Sequence, residues 1–135
     1  STLMRSSAAS DVYKRQAYIF LLKMRFENNL QFDIQIAKSF EDYRLPPMAV
    51  QVLIENAVKH NEISDRKPLT IHIVTNNEGY LSVSNDIQPK RTAASGTGIG
   101  LVNLAKRYRL LFKQDIQITE DKEFSVCIPL IDEVQ

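Results

Sequence analysis

Cysteine is almost missing from this chain of 135 residues: Cys127 is the only one, so no internal disulfide can form. The default for such a chain is a reducing compartment, and a cytoplasmic location is expected. Tryptophan is absent and there are only two histidines, His60 and His72, so no Cys/His cluster has the spacing of a zinc site. An excess of one charge is missing as well. Lys and Arg number 17 against 16 Asp and Glu, and a net charge of +1 argues against bulk binding to nucleic acid. Long hydrophobic runs are also lacking. The most apolar early stretch, 17–22, falls far short of the roughly 20 residues that cross a bilayer, so no membrane contact by this fragment is expected. Residues 1–16 do not read as a signal peptide either, because their charges are scattered and no apolar centre leads to a small-residue cleavage site.

What is present is the composition of an ordinary globule, 44% hydrophobic and 24% charged, with room for one domain. Residues 1–16 differ from the rest: the run Ser6, Ser7, Ala8, Ala9, Ser10 has no amphipathic pattern and is expected to be a non-native or disordered leader. Residues 17–28 read as the end of an upstream helix, with Tyr18, Leu21, Leu22 and Arg25 on one face. The domain proper is expected over 29–132. Leu30, Phe32, Ile34 and Ile36 alternate with polar residues as in a half-buried strand. Pro46 and Pro47 then open an apolar helix over 48–60, with Val50, Leu53, Ile54, Ala57 and Val58 at helical spacing.

Two alternating strands, 69–75 and 80–85, flank the turn residues Asn76, Asn77, Glu78 and Gly79 and are expected to pair antiparallel. The polar, aperiodic stretch 86–97 reads as a mobile loop whose length suits a lid. A helix over 99–112 and strands over 116–119 and 124–129 complete the chain, with Phe112, Phe124 and Ile128 expected in the core. Hairpins dominate, so the fold class expected is α+β, a mostly antiparallel sheet covered on one face by helices.

Two clusters carry chemistry. In the helix from 48, the string Glu55-Asn56-Ala57-Val58-Lys59-His60 is followed by Asn61. Positions 56, 59 and 60 are i, i+3 and i+4, which brings an amide, an ammonium and an imidazole to one helical face opposite the apolar stripe. An amide oxygen is a hard ligand suited to Mg²⁺, and a lysine one turn away can neutralise phosphate. The plain alternative is a solvated helix face. The second cluster, Ser95-Gly96-Thr97-Gly98-Ile99-Gly100-Leu101, holds three of the four glycines of the chain immediately before a helix. Such a turn brings backbone N–H groups close to phosphate, and the helix N-terminus adds a favourable dipole. It matches neither the P-loop pattern nor a dinucleotide fingerprint; the plain alternative is a hinge.

These motifs, taken in order, closely resemble the LytS-type sensor histidine kinases. The stretch running from Pro46-Pro47-Met48 to Lys59-His60-Asn61 comes first, then a hairpin ending Val83-Ser84-Asn85, then Gly96-Thr97-Gly98-Ile99-Gly100-Leu101 continuing to Arg107-Tyr108. The resemblance covers about 18–131 and implies the two-layer α/β sandwich of the ATPase superfamily shared with gyrase and MutL, with ATP held between the second helix and the lid. It implies Asn56 as the Mg²⁺ ligand, Lys59 and His60 at the phosphate side, and Gly96, Gly98 and Gly100 as a glycine box, with Asn61, Thr97, Ile99 and Leu101 alongside in the nucleotide site. Glu55 joins Asn56, Lys59 and His60 in the candidate catalytic set. Partners implied are an upstream histidine-bearing dimerisation domain and a downstream response regulator, and the parent is expected to be anchored in the inner membrane with this part in the cytoplasm.

Departures from the family pattern are informative. Where relatives have Asp followed by Asn-Gly to read the adenine amino group, this chain has Asn85-Asp86-Ile87. Either Asn85 accepts from that amino group or Asp86 does after a shift of one residue, and strand period selects Asn85 only if Val83 faces the core. In hydrolytic relatives a glutamate four residues before the asparagine activates water, whereas that position here is Val52. Glu55 is one residue from Asn56 and lies about 100° around the helix, so it is no simple substitute. Phosphoryl transfer to a protein histidine is therefore expected over hydrolysis. His72 has the spacing of an ordinary strand residue, and Arg107 with Tyr108 resembles the family's Arg-aromatic pair, read as a surface arginine packed on the tyrosine. Two other readings stay open: a noncatalytic interaction module with a degenerate site, and an ATP-hydrolysing relative.

Overall fold

The computed structural model describes residues 6–90 and 98–132. Its centre is a five-stranded sheet in the order β2-β4-β5-β7-β6, formed by β2 (Leu30–Gln35), β4 (Leu69–Thr75), β5 (Tyr80–Asp86), β7 (Glu123–Pro129) and β6 (Gln117–Glu120). Three of the four pairings are antiparallel. The exception is β2 with β4, which is parallel and in the register Leu30↔Leu69 and Asp33↔His72. A parallel neighbour needs a crossover connection, and here it contains α3 (Ala49–His60), the helix of the first motif. The mostly antiparallel α+β architecture expected from the hairpins is thus the one observed.

Side-chain period decides which face of the sheet is covered. Leu69, Ile71 and Ile73 of β4, Leu81 and Val83 of β5 and Val126 and Ile128 of β7 are all buried, as alternate residues of a strand must be if one face meets the helices. Against them pack Val50, Leu53, Ile54 and Ala57 of α3, then Leu104 and Tyr108 of α4 (Ile99–Phe112). Ile128 is fully buried, while Phe112 and Phe124 sit half-buried at the border of this core. The other face carries Asp33, His72, Ser84, Ser125 and Thr119 in one cross-strand row.

The N-terminal segment, expected to be a non-native or disordered leader, carries regular elements from Ser6. β1 (Ser6–Ser7) pairs with β3 (Arg44–Leu45), and α1 (Ala8–Lys14) is capped by the Ser7 hydroxyl, which accepts from the Ser10 N–H. The reason is tertiary. Ala8 and Val12 lie one turn apart and are buried, and the Asp11 carboxylate accepts from the Met48 and Val50 N–H groups at the start of α3. That helix begins after Pro46 and Pro47 with Met48 in the left-handed region (φ 66°) and no cap of its own side chain, so a carboxylate from elsewhere satisfies its first donors.

The following helix, α2 (Gln16–Phe26), also differs in detail from expectation. Its buried side chains are Ile19 and Leu22, flanked by half-buried Tyr18 and Phe26, whereas Leu21 is 63% exposed. Apolar residues lie all round this helix, so its period alone cannot tell which side meets the core. Among the described residues, no helix is long and apolar enough to cross a membrane.

Candidate functional site

Helix α3 presents its polar residues to two different hollows. Asn56 and His60, one turn apart, line a cleft of about 1360 Å³ whose other walls are Ile87 and Pro89, Gly98 and Leu101 of the start of α4, and Ile116, Ile118 and Phe124. Small-molecule sites commonly run to about 300–1,000 Å³, so this space is large enough for a small-molecule ligand. Glu55 and Lys59 point elsewhere. They line a second hollow of about 1110 Å³ between α3 and α2, together with Tyr18, Arg25, Phe26, Arg66 and Lys67. The structure thus brings Asn56 and His60 together and turns Lys59 and Glu55 to the neighbouring groove; Asn61 and Pro89 border both.

The Asn56 side chain makes no hydrogen bond within the described residues and is only half-buried, so both ends of its amide are available to the cleft. A single hard oxygen suits one coordination position of Mg²⁺, an ion that keeps waters and takes phosphate oxygens for the rest. No group of three or more His, Cys, Asp or Glu able to hold a metal exists among the described residues. An ion here would rest on Asn56 and on the ligand's own oxygens. Glu55, by contrast, is engaged: its carboxylate accepts from Gln51 Nε2 at 2.9 Å, and Gln51 in turn accepts from Arg15 at 2.6 Å. In the same groove burial, aided by the Glu55 charge and opposed by Arg25, pushes the Tyr18 hydroxyl pKa upward.

Of the glycine box, Gly96 and Thr97 lie outside the described residues, as does most of the expected lid, 91–97. Gly98 is the residue preceding α4 and has φ 69°, a left-handed conformation that a side chain would strain although no described residue crowds it. The first backbone N–H groups of α4 follow at the cleft wall, where a helix N-terminus favours an anion. Gly100 has a further use. A Cβ there would lie 3.4 Å from Val52 Cγ1, so α3 and α4 approach closely at the very position where a water-activating glutamate would otherwise stand. Ile99 is 65% exposed and Leu101 half-buried at the cleft wall.

At 85–86, where the family resemblance implies an adenine contact, the two candidate residues face opposite sides of the strand. Val83 is buried on the helix-facing side of β5, and Asn85, two residues on, is buried on the same side at 1% exposure, while Asp86 is exposed on the other. Asn85 Nδ2 donates to the Asp86 carbonyl at 2.7 Å, which leaves Oδ1 as the acceptor end of that amide.

Sequence reasoning overlooked the role of Asn61. This buried residue ends α3, and its amide joins the helix to the segment after β5: Nδ2 donates to the Ala57 carbonyl at 2.7 Å and Oδ1 accepts from the Gln88 N–H at 2.8 Å. The only signal was an asparagine directly after a helix.

Arg107 and Tyr108 also differ from expectation. Tyr108 is fully buried, and Arg107, expected as a surface arginine packed on it, is half-buried. Its hydroxyl donates to the Pro129 carbonyl at 2.8 Å, while Arg107 reaches the Pro47 carbonyl at 2.8 Å. Burial drives the Tyr108 pKa strongly upward, so that side chain stays neutral.

No family model matches the chain. Its sequence is 36% identical over 121 residues to the sensor protein LytS of Streptococcus mutans, a match covering 78% of this chain and 20% of that protein. The figures are 31% over 111 residues, covering 71% and 19%, for LytS of Staphylococcus epidermidis, and 26% over 114 residues, covering 82% and 20%, for the sensor histidine kinase BtsS of Escherichia coli. In fold, the chain resembles the catalytic domain of the histidine kinase ThkA, with a TM-score of 0.61 at 18% identity over 93% of each chain. Acinetobacter baumannii AdeS gives 0.56 at 13% over 95% of this chain and 67% of that one. The fold is therefore that of histidine-kinase catalytic domains. Within that class its sequence is similar to the LytS-type sensor proteins over most of its length, and it spans about a fifth of the length of the curated relatives it matches.

Proposed function

We propose that this chain is the ATP-binding catalytic domain of a two-component sensor histidine kinase. In this reading it delivers the γ-phosphoryl group of Mg-ATP to a histidine on an upstream dimerisation segment, from which a response regulator is served. The observation that carries the reading is the unengaged Asn56 amide beside His60 in a cleft whose far wall is a glycine-led helix N-terminus. Asn56 would hold Mg²⁺, which supplies charge neutralisation on the β- and γ-phosphates when bound. His60 and the first amides of α4 take the phosphate side, and Asn85 Oδ1 takes the adenine amino group. The acceptor imidazole nitrogen forms a bond to the γ-phosphorus as the bond to the bridging oxygen breaks, and ADP leaves. With Val52 at the position four residues before Asn56, no carboxylate stands one turn away to activate water, which favours transfer over hydrolysis. The same reading takes the parent to be anchored in the inner membrane with this domain on the cytoplasmic side.

A noncatalytic interaction module is the second reading, favoured by Lys59 and Glu55 facing the groove instead of the cleft and by Ile87 in place of the usual glycine. Calorimetry separates the two. On the kinase reading the protein binds ATP with Mg²⁺ present, and Asn56→Ala and Asn56→Asp weaken binding about tenfold or more, as loss of a charge-assisted contact should. Equal affinity in wild type and both Asn56 variants would sink the assignment.

A further inference from the structure

The segment leaving β5 does not run free toward the second motif. Gln88 spends its backbone N–H on Asn61 Oδ1 (2.8 Å) and its carbonyl on the Glu62 N–H (2.6 Å). Its side-chain Nε2 donates to the Glu62 carbonyl (3.0 Å) and the Lys67 carbonyl (3.1 Å), and Asn61 and Pro89 form an isolated antiparallel bridge. On the other side Asn61 is held to its own helix through the Ala57 carbonyl. These contacts tie residues 87–89 to the end of α3, one turn beyond Asn56. The two neighbours of Gln88, Ile87 and Pro89, are walls of the cleft, whereas Gln88 itself lines neither hollow. Asn61 borders both, but its amide oxygen and nitrogen are each already engaged with backbone.

We propose that Asn61 and Gln88 are positioning residues: together they clamp the 87–89 segment onto α3 and so hold the Ile87 and Pro89 wall against the Asn56–His60 face where nucleotide binds. This rests on the nucleotide-binding reading above. It differs from the direct contact that the family resemblance implies for Asn61, because the residue acts through the wall it anchors. Buried amides with both ends satisfied are costly to truncate, and the loss should spread to whatever they hold in place.

The test uses the whole chain and Mg-ATP as probe, titrated by calorimetry into wild type, Gln88→Ala, Asn61→Ala and Asn61→Asp. Circular dichroism checks that each is folded, and hydrogen exchange is followed at the Gln88 and Glu62 amides. Gln88→Ala and Asn61→Ala are expected to bind about five- to tenfold more weakly, the scale of one or two lost hydrogen bonds. The Gln88 amide should be protected in wild type and should lose that protection in Asn61→Ala. Asn61→Asp, which keeps an acceptor oxygen for that N–H, should restore it. Since Gln88 is half-buried and outside the cleft, its variant keeps the question open to disproof even if Asn61→Ala does not fold. Wild-type affinity in a folded Gln88→Ala, or free exchange of the Gln88 amide in wild type, overturns the clamp alone. A wild type that binds no nucleotide overturns the clamp together with the nucleotide reading beneath it.

Discussion

Tyr108 is the residue at which helix and sheet are joined by a polar contact inside the core. Its ring is fully buried and tilts against Phe112 at 5.5 Å, and its hydroxyl donates to the Pro129 carbonyl at the end of β7. Tyr108→Phe keeps the ring and leaves that carbonyl without its donor, so a loss of about 1–2 kcal/mol is expected, seen as a fall in Tm on the order of 5 °C. An unchanged Tm would mean the carbonyl finds another partner. A different residue-scale effect belongs to the open face of the sheet. The Asp33 carboxylate accepts from Gln35 Nε2 and lies 2.9 Å from His72 Nδ1, and these bonds hold its pKa below the usual carboxylate range. A depressed acid stabilises the fold above its unfolded pKa and loses that contribution as pH falls through the folded value. Wild type should therefore melt above Asp33→Asn near neutral pH, and the gap should close only as pH drops below the ordinary carboxylate range. Scanning calorimetry from neutral pH into strong acid checks the sign; a gap that widened on acidification would refute it.

At the scale of elements, the lengths of β4, β5, α3 and α4 follow from local pattern, because a period of two or 3.6 together with proline and glycine at the ends specifies each one. The N-terminal elements do not follow. α1 has only Ala8 and Val12 to bury, and it exists by virtue of what Asp11 and β3 offer it. For that reason we expect the domain from residue 17 onward to fold without the leader, at the cost of the Asp11 bonds to α3 and of two small buried side chains. A fragment of 17–132 should still melt cooperatively, at a lower temperature, with a loss on the order of 2–4 kcal/mol for an unsatisfied helix start and lost apolar burial. Failure of this fragment to fold would make the leader an integral part of the domain.

For the molecule as a whole, the two histidines of the chain are His60 in α3 and His72 in β4, paired with Asp33, and neither has the setting of a phosphate acceptor on a separate helical segment. Given γ-labelled ATP and Mg²⁺, the chain alone is expected to remain unlabelled and to release little phosphate. Adding a histidine-bearing dimerisation segment of the family should give acid-labile label on that segment. Transfer should be slow and rise with acceptor concentration, since an acceptor supplied separately lacks the effective concentration that a covalent link provides. Acid-stable label on the chain itself, or rapid phosphate release that depends on Glu55, would point to other chemistry.

The sequence by itself determined the strands of the central sheet and the two helices α3 and α4, the hairpin pairing of β4 with β5, and the chemistry offered by the two motifs. Each of these rests on residues close together in the chain: Asn56 and His60 one turn apart, Gly98 one step before its helix. Alternation also put Asn85 on the same face as Val83, but only the tertiary structure shows that face buried against the helices. The tertiary structure alone decided the rest. A helix face spans more than one neighbour, so packing of α2 along α3 assigned Lys59 and Glu55 to one hollow and Asn56 and His60 to the other. The parallel placement of β2, the burial of Tyr108 and the tie between Asn61 and Gln88 likewise depend on partners 20 or more residues away, such as the 27 positions separating the last pair, and no local period records a partner at that separation.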